Sequence, residues 1–206
     1  MIVEYSAKVF EVNDVASAKR IILTPDDRST EDRWRTETPY LVDLIESKVD
    51  LNGYSTVMDY GCGIGRMSKA LIERFGCRVV GVDISTSMRA LAAAYVSSEN
   101  FVAVHPDALG WACPKCDAAI SVWALQHVND LNGAIEHLSG CVDGDLLVVN
   151  DRRRLVPSDQ GKWIDDGEDL AARLDIEFEP VERGLLDPDK VGKLLSDYSY
   201  WGHWRV

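Results

Sequence analysis

The chain has 206 residues, 46% hydrophobic and 27% charged, the balance of a folded globular protein with enough length to bury one full core. Its 22 basic and 34 acidic residues leave a net charge of −12, which repels a phosphate backbone and excludes nucleic acid as the expected partner. No run approaches the roughly 20 apolar residues that span a bilayer. Met1-Ile2-Val3-Glu4-Tyr5 also lacks the basic start and apolar block of a leader, so no membrane and a cytoplasmic location are expected. Five scattered cysteines, Cys62, Cys77, Cys113, Cys116 and Cys141, are unlike a secreted disulfide framework, and free thiols are expected.

In chain order, residues 2–12 alternate weakly, as a short strand does, and the stretch to Thr30 has no clear period. Residues 31–49 turn helical, with a boundary expected at Thr38-Pro39, a cap followed by proline at the first helical position. After Asn52-Gly53 a short apolar strand, Ser55 to Asp59, runs into Gly61, Gly63 and Gly65. A helix follows, with Met67, Leu71 and Phe75 on one face and Gly76 as its left-handed stop. Arg78 to Asp83 reads as the next strand, and Ser85 caps a helix carrying Met88, Leu91, Ala92 and Tyr95. Ala118 to Trp123 and Leu146 to Val149 are near-continuous apolar runs of the kind a parallel sheet buries on both faces, with Leu131, Ile135 and Leu138 marking the helix between them. Phe178 to Glu182 and Tyr198 to Val206 read as strands flanking a helix begun at Asp187-Pro188. Strands alternating with helices in this way predict a doubly wound, three-layer α/β fold. One domain over 1–206 is expected, with an N-terminal lid or helical segment at 1–50 and the core at 55–206.

The glycines sit where a strand turns into a helix, a place that lets backbone N–H groups approach a ligand. Dinucleotide dehydrogenases use a similar turn with the spacing Gly-x-Gly-x-x-Gly, and here the spacing is Gly-x-Gly-x-Gly. Asp59, just before the loop, opposes a pyrophosphate and suits a ligand bearing an ammonium and a sulfonium. Asp83, ending the next strand, suits a ribose diol in either class of ligand.

Val57 to Gly65 resembles the first motif of class I S-adenosylmethionine (SAM)-dependent methyltransferases, and Val79 to Ser85 resembles their second. Asp107-Ala108 is similar to the pair that reads the adenine amino group, and Asp117 to Val128 is similar to the strand and loop ending in Leu125-Gln126-His127-Val128. The resemblance spans about residues 55 to 150 and implies a Rossmann-like, mostly parallel sheet with an antiparallel last strand. It also implies SAM as methyl donor, S-adenosylhomocysteine as product, and transfer by in-line displacement. Carried onto this chain, it nominates Asp59, Gly61, Cys62, Gly63, Gly65, Asp83, Ile84, Met88, Asp107, Ala108, Val122 and Trp123 for the cofactor, with Ile84 against the adenine.

His127 is the candidate general base, and the competing reading is that it shapes the loop by packing. Cys113-Pro114-Lys115-Cys116 has redox or zinc spacing, but without a second ligand pair or a following helix ordinary thiols are expected. Arg152-Arg153-Arg154 is either a grip on an anionic acceptor or a solvated cluster. Trp34 suits the lid and Trp123 the cofactor wall. Ser121-Val122-Trp123-Ala124 lacks the Asn/Asp-Pro-Pro-aromatic motif of DNA amine methylation, and the fourth strand has no terminal acid to hold a metal. A small-molecule acceptor, no metal, and a protein or peptide acceptor as the lesser option follow. A SAM-binding protein without transfer activity and a nicotinamide-dependent oxidoreductase remain as rival classes.

Overall fold

A computed structural model describes residues 4–24, 28–112 and 114–206. Residues 2 and 3 lie outside the described residues; from Glu4 on, the N-terminal segment is not the strand its alternation suggests, since Tyr5 makes one antiparallel bridge to Ser158 and Ala7–Phe10 is a turn of 3-10 helix. Helix α1 (Val15–Ile22) had no legible period, yet it starts on a reciprocal cap in which Asp14 and Ser17 bond each other's backbone N–H. Helix α2 (Thr30–Lys48) begins at Ser29 rather than at Thr38, because the Ser29 hydroxyl accepts from Asp32 N–H, and Glu31 and Asp32 supply negative charge to the first turn. Pro39 therefore lies inside the helix, where it forfeits one backbone bond. The neighbouring Thr38 hydroxyl bonds back to Trp34 O and accepts from Arg66 Nε at 2.8 Å.

The core alternates strand and helix: β1 (Thr56–Tyr60), α3 (Arg66–Phe75), β2 (Arg78–Val82), α4 (Thr86–Val96), β3 (Phe101–Val104), β4 (Cys116–Val122), α5 (Leu131–Cys141) and β5 (Val142–Asp151). A hairpin of β6 (Leu155–Pro157) and β7 (Trp163–Asp165) follows, then α6 (Leu170–Glu177), β8 (Glu179–Gly184), α7 (Pro188–Val191), α8 (Lys193–Tyr198) and β9 (Ser199–Arg205). Gly76 and Ser85 cap α3 and α4 as their positions predict.

The main sheet has the order β3-β2-β1-β4-β5-β9-β8. Strands β1 to β5 pair in parallel, and β9 runs antiparallel to both β5 and β8. This is the doubly wound sheet with a reversed last strand.

Successive residues of each inner strand feed opposite layers. Leu146 and Val148 pack with α5 and α6, whereas Leu147 and Val149 pack with α2 and α3. A third patch, Val12, Ala18, Ile64 and Met88, fastens the N-terminal segment to the glycine loop and α4. Cys62, Cys77 and Cys116 are buried free thiols, but Cys141 is disulfide-bonded, which corrects the expectation of free thiols throughout; Cys113 lies outside the described residues. Among the described residues no helix is long and apolar enough to cross a membrane.

Candidate active site

The carboxyl ends of parallel strands leave a crevice where the strand order reverses, here between β1 and β4. A cavity of about 750 Å³ opens there, within the range of about 300 to 1,000 Å³ typical of small-molecule sites. Gly61, Gly63, Asp83, Ile84, Met88, Asp107, Val122, Trp123 and His127 all line it, so most of the residues nominated from sequence converge.

The loop has its shape because glycine tolerates it. Gly61, Gly63 and Gly65 have φ of 84°, 54° and 81°, a region costly for residues with a Cβ. A side chain on Gly61 would stand 2.0 Å from Ala124 Cβ. Asp83 stitches this loop to the next one: its Oδ2 accepts from Gly63 N–H and its Oδ1 from Ser85 N–H, both at 2.8 Å. Burial pushes the Asp83 carboxyl above its ordinary value, against the pull of those two amides. Ile84 shows 39% of its surface, an apolar face offered to the cavity. Asp107 opens the 3-10 turn Pro106–Gly110 with its side chain exposed.

Asp59, Cys62, Gly65 and Ala108 do not line the cavity. Asp59 is buried beneath the loop, where its Oδ2 accepts from Ser68 N–H at 3.1 Å and Ser68 Oγ–H at 2.6 Å. It caps α3 from outside, since the N-cap of that helix is Gly65, which has no side chain to offer. Loss of solvent raises the Asp59 carboxyl to about 6, the Ser68 bonds notwithstanding. The Cys62 thiol is buried against Gly81, and burial pushes it up.

At the other end of the cavity Trp123 leaves β4 with φ of 51°, a conformation uncommon for a bulky residue and seen where a site over-determines its backbone. Its indole N–H donates to Ser199 Oγ at 3.3 Å, and that hydroxyl donates to Asp151 Oδ1 at 2.6 Å. Gln126 bridges onward: its amide NH₂ reaches Asp151 Oδ2 at 3.2 Å and His127 Nε2 at 3.1 Å, while its Oε1 accepts from Asp151 N–H. His127 Nδ1 lies 2.7 Å from Leu155 O. A carbonyl only accepts, so Nδ1 carries the proton and Nε2 is the lone pair held by Gln126. Burial lowers the His127 pKa below its usual value, keeping the ring neutral.

Two segments roof the cavity, one within the N-terminal stretch expected as a lid or helical segment and one after β5. The N-terminal strap supplies Tyr5 and Phe10, and the β6-β7 hairpin supplies Leu155 and Trp163. They bond to each other through Ser6 N–H to Pro157 O and Asp159 N–H to Glu4 O. Glu11 pins the strap by accepting from Thr86 N–H and Ser87 N–H at the start of α4, a favourable place for a carboxylate.

The basic run 152–154 does not line the cavity. Arg154 is buried and donates to Leu125 O, Val128 O and Asp166, anchoring the hairpin, while Arg153 faces Asp165. Trp34 packs edge-on to Tyr95 and donates to its hydroxyl, away from the cavity. Gln126, Asp151, Phe10 and Trp163 are the site residues that sequence reasoning missed. Adjacency to His127 pointed at Gln126; nothing local marked the others.

The chain matches the family described as "Methyltransferase domain" over residues 57–143. It is 33% identical over 96 residues, 47% of this chain and 38% of the other, to a malonyl-[acyl-carrier protein] O-methyltransferase of Pseudescherichia vulneris. It is 41% identical over 49 residues, 24% of this chain and 21% of the other, to an N-demethylindolmycin N-methyltransferase of Streptomyces griseus. The chain thus spans well under half the length of the curated relatives it matches. Its fold superposes on geranyl diphosphate C-methyltransferase from Streptomyces coelicolor A3(2), solved with S-adenosyl-L-homocysteine, with a TM-score of 0.67 and 17% identity over 97% of this chain and 95% of that one. Residues 57–143 are thus similar to a methyltransferase domain, and the chain has the doubly wound, Rossmann-like fold of the solved methyltransferase on which it superposes.

Proposed function

We propose that this chain transfers a methyl group from SAM to a small-molecule acceptor, and that it does so as one unit from the core to the roof. The observation that carries this reading is the set of left-handed glycines opening onto a cavity that also holds Asp83 and Ile84. A Cβ on Gly61 would close the loop onto Ala124, so the backbone is bared toward the cavity, as a nucleoside ligand with a charged tail requires.

Gly61 and Gly63 then line the donor's amino acid end, Asp83 its ribose, and Ile84, Met88 and Asp107 its base, with Val122 and Trp123 closing the far wall. Asp59, Cys62, Gly65 and Ala108 act by building that cradle. When bound, SAM supplies an electrophilic methyl group on a sulfonium. The protein's contribution is to hold the acceptor in line and keep water out, which the strap and hairpin do by covering the cavity. His127 stands at the acceptor end; it serves as a base only when the Gln126 amide releases Nε2, and otherwise it fixes the hairpin.

The names of the relatives span oxygen, nitrogen and carbon acceptors, so the acceptor atom does not follow from them. Nucleic acid is not the acceptor we propose, given the chain's negative charge.

The test is calorimetric titration with S-adenosylhomocysteine, with NAD as control. Binding of the first alone supports the reading, and Asp83→Ala should weaken it at least tenfold in a folded protein. Binding of NAD alone overturns the reading.

A further inference from the structure

On the acceptor side of the cavity one carboxylate stands out for what surrounds it. Asp151 lines the wall at the end of β5, and its partners are a hydroxyl and an amide: Ser199 Oγ on Oδ1 at 2.6 Å and Gln126 Nε2 on Oδ2 at 3.2 Å. Among the described residues it has no ion pair. Neutral donors orient the group without neutralising it, and a carboxylate offers about four lone-pair directions in all, so each oxygen retains room for another donor. A half-buried carboxylate held this way is electrostatically incomplete.

Beside it is an aromatic wall assembled from three separate segments. The ring of Trp163 lies 4.8 Å from that of His127, Phe10 lies 6.1 Å from each, and all three line the cavity. Gln126 joins the two features, its Nε2 amide donating both to the His127 ring and to Asp151. Aromatic faces next to a carboxylate attract a cation or a polarised N–H at a distance of about 6 Å or less from the ring centroid. The basic residues of the cavity, Arg20 and Arg33, come from the opposite segments α1 and α2, and Arg33 is already paired with buried Glu37 at 2.7 Å.

We infer that the acceptor is an organic amine with an apolar or aromatic body, its nitrogen held by Asp151 and its body against Phe10 and Trp163. This rests on the methyltransferase reading and adds the substrate class to it. Asp151 takes an N–H of the incoming ammonium ion, which gives up one of its other protons to solvent water; the lone pair so freed points away from the carboxylate and forms the bond to the methyl carbon as the donor's sulfur–methyl bond breaks, leaving the methylated nitrogen as an ammonium. The chain's negative charge favours approach of such a ligand.

The experiment uses the full chain and three probes with one shared ring: phenethylamine, 2-phenylethanol and 3-phenylpropanoate, each titrated by tryptophan fluorescence with and without S-adenosylhomocysteine. The amine should bind at least tenfold tighter than the other two, and Asp151→Asn should bring it to the level of the alcohol while leaving the alcohol unmoved. Equal binding of amine and alcohol, or no binding of any probe, overturns the inference. Preference for the carboxylate does so as well, and points to Arg20. Should Asp151→Asn not fold, the ranking on the native chain decides alone. The product titration separates the two claims: S-adenosylhomocysteine binding without amine preference removes only this inference, whereas amine preference without S-adenosylhomocysteine binding removes the methyltransferase reading and with it the acceptor role, leaving an amine site at Asp151.

Discussion

The Cδ1 atom of Ile22 stands 2.8 Å from the position that a Cβ on Gly63 would occupy, so helix α1 rests directly on the glycine loop. The same glycine gives its N–H to Asp83. A single residue therefore carries the loop conformation, the contact with α1 and the bond to the Asp83 carboxylate together.

Gly63→Ala should cost about 1 to 2 kcal/mol from the left-handed backbone alone, with a further loss from the clash with Ile22. Adding Ile22→Val removes the Cδ1 atom and should restore part of that loss. Urea denaturation of the three proteins checks it. Equal stability of the single and double variants would show that the two residues do not touch.

Asp59 sets a pH dependence whose direction follows from its burial. Its folded pKa of about 6 lies above the ordinary 3.8, so folding favours the protonated acid, and its stabilising effect is complete below the ordinary value and lost as pH rises through the folded one. Asp59→Asn keeps an acceptor for Ser68 and avoids the buried charge. It should gain up to about 3 kcal/mol on the wild type near pH 8 and nothing near pH 4, read from denaturation midpoints at the two ends. A gap of the same size at both would show that the carboxylate ionises without cost.

For His127 the sign is reversed. Burial lowers its pKa, so folding favours the neutral ring, and stability falls as pH drops below the ordinary 6.5 toward the folded value. His127→Gln should soften that acid-side loss. His127→Ala should free the hairpin, visible as faster amide hydrogen exchange across 155–165, and should raise KM for the acceptor more than it lowers kcat. A fall in kcat alone, with exchange unchanged, would instead identify the ring as the base.

Arg154 is buried and satisfies two loop carbonyls and one carboxylate. Arg154→Ala strands all three, for an expected cost of about 3 to 5 kcal/mol. Limited proteolysis should then cut within 155–169 first. Cleavage elsewhere at the same rate would show that the hairpin does not depend on this side chain.

The core was readable because its physics is local. Buried parallel strands such as Leu146 to Val149 must be continuously apolar, and Gly65 and Gly76 mark where α3 begins and ends. Strand β3 escaped notice because four residues, one exposed and three half-buried, carry too short a pattern. Pro39 misled because a proline at the start of a helix and one inside it look alike until Ser29 is seen to cap the turn ahead. The contacts that hold the roof were illegible for another reason: Tyr5 finds Ser158, His127 finds Leu155 and Arg154 finds Leu125 across gaps that no local period spans. Asp59 and Asp83 were both found, but proximity to the loop did not tell which of them would face the cavity.

The backbone bonds between Glu4 to Ser6 and Pro157 to Asp159 tie a stretch near residue 5 to one some 150 positions later. Closing so large a loop is slow compared with local pairing. The sheet through β5 can therefore be in place while the chamber is still uncovered, and the chamber becomes complete only when the late hairpin meets the early strap. Because that meeting involves few residues of the sheet, changes in the strap and hairpin can retune what enters while the glycine loop stays as it is.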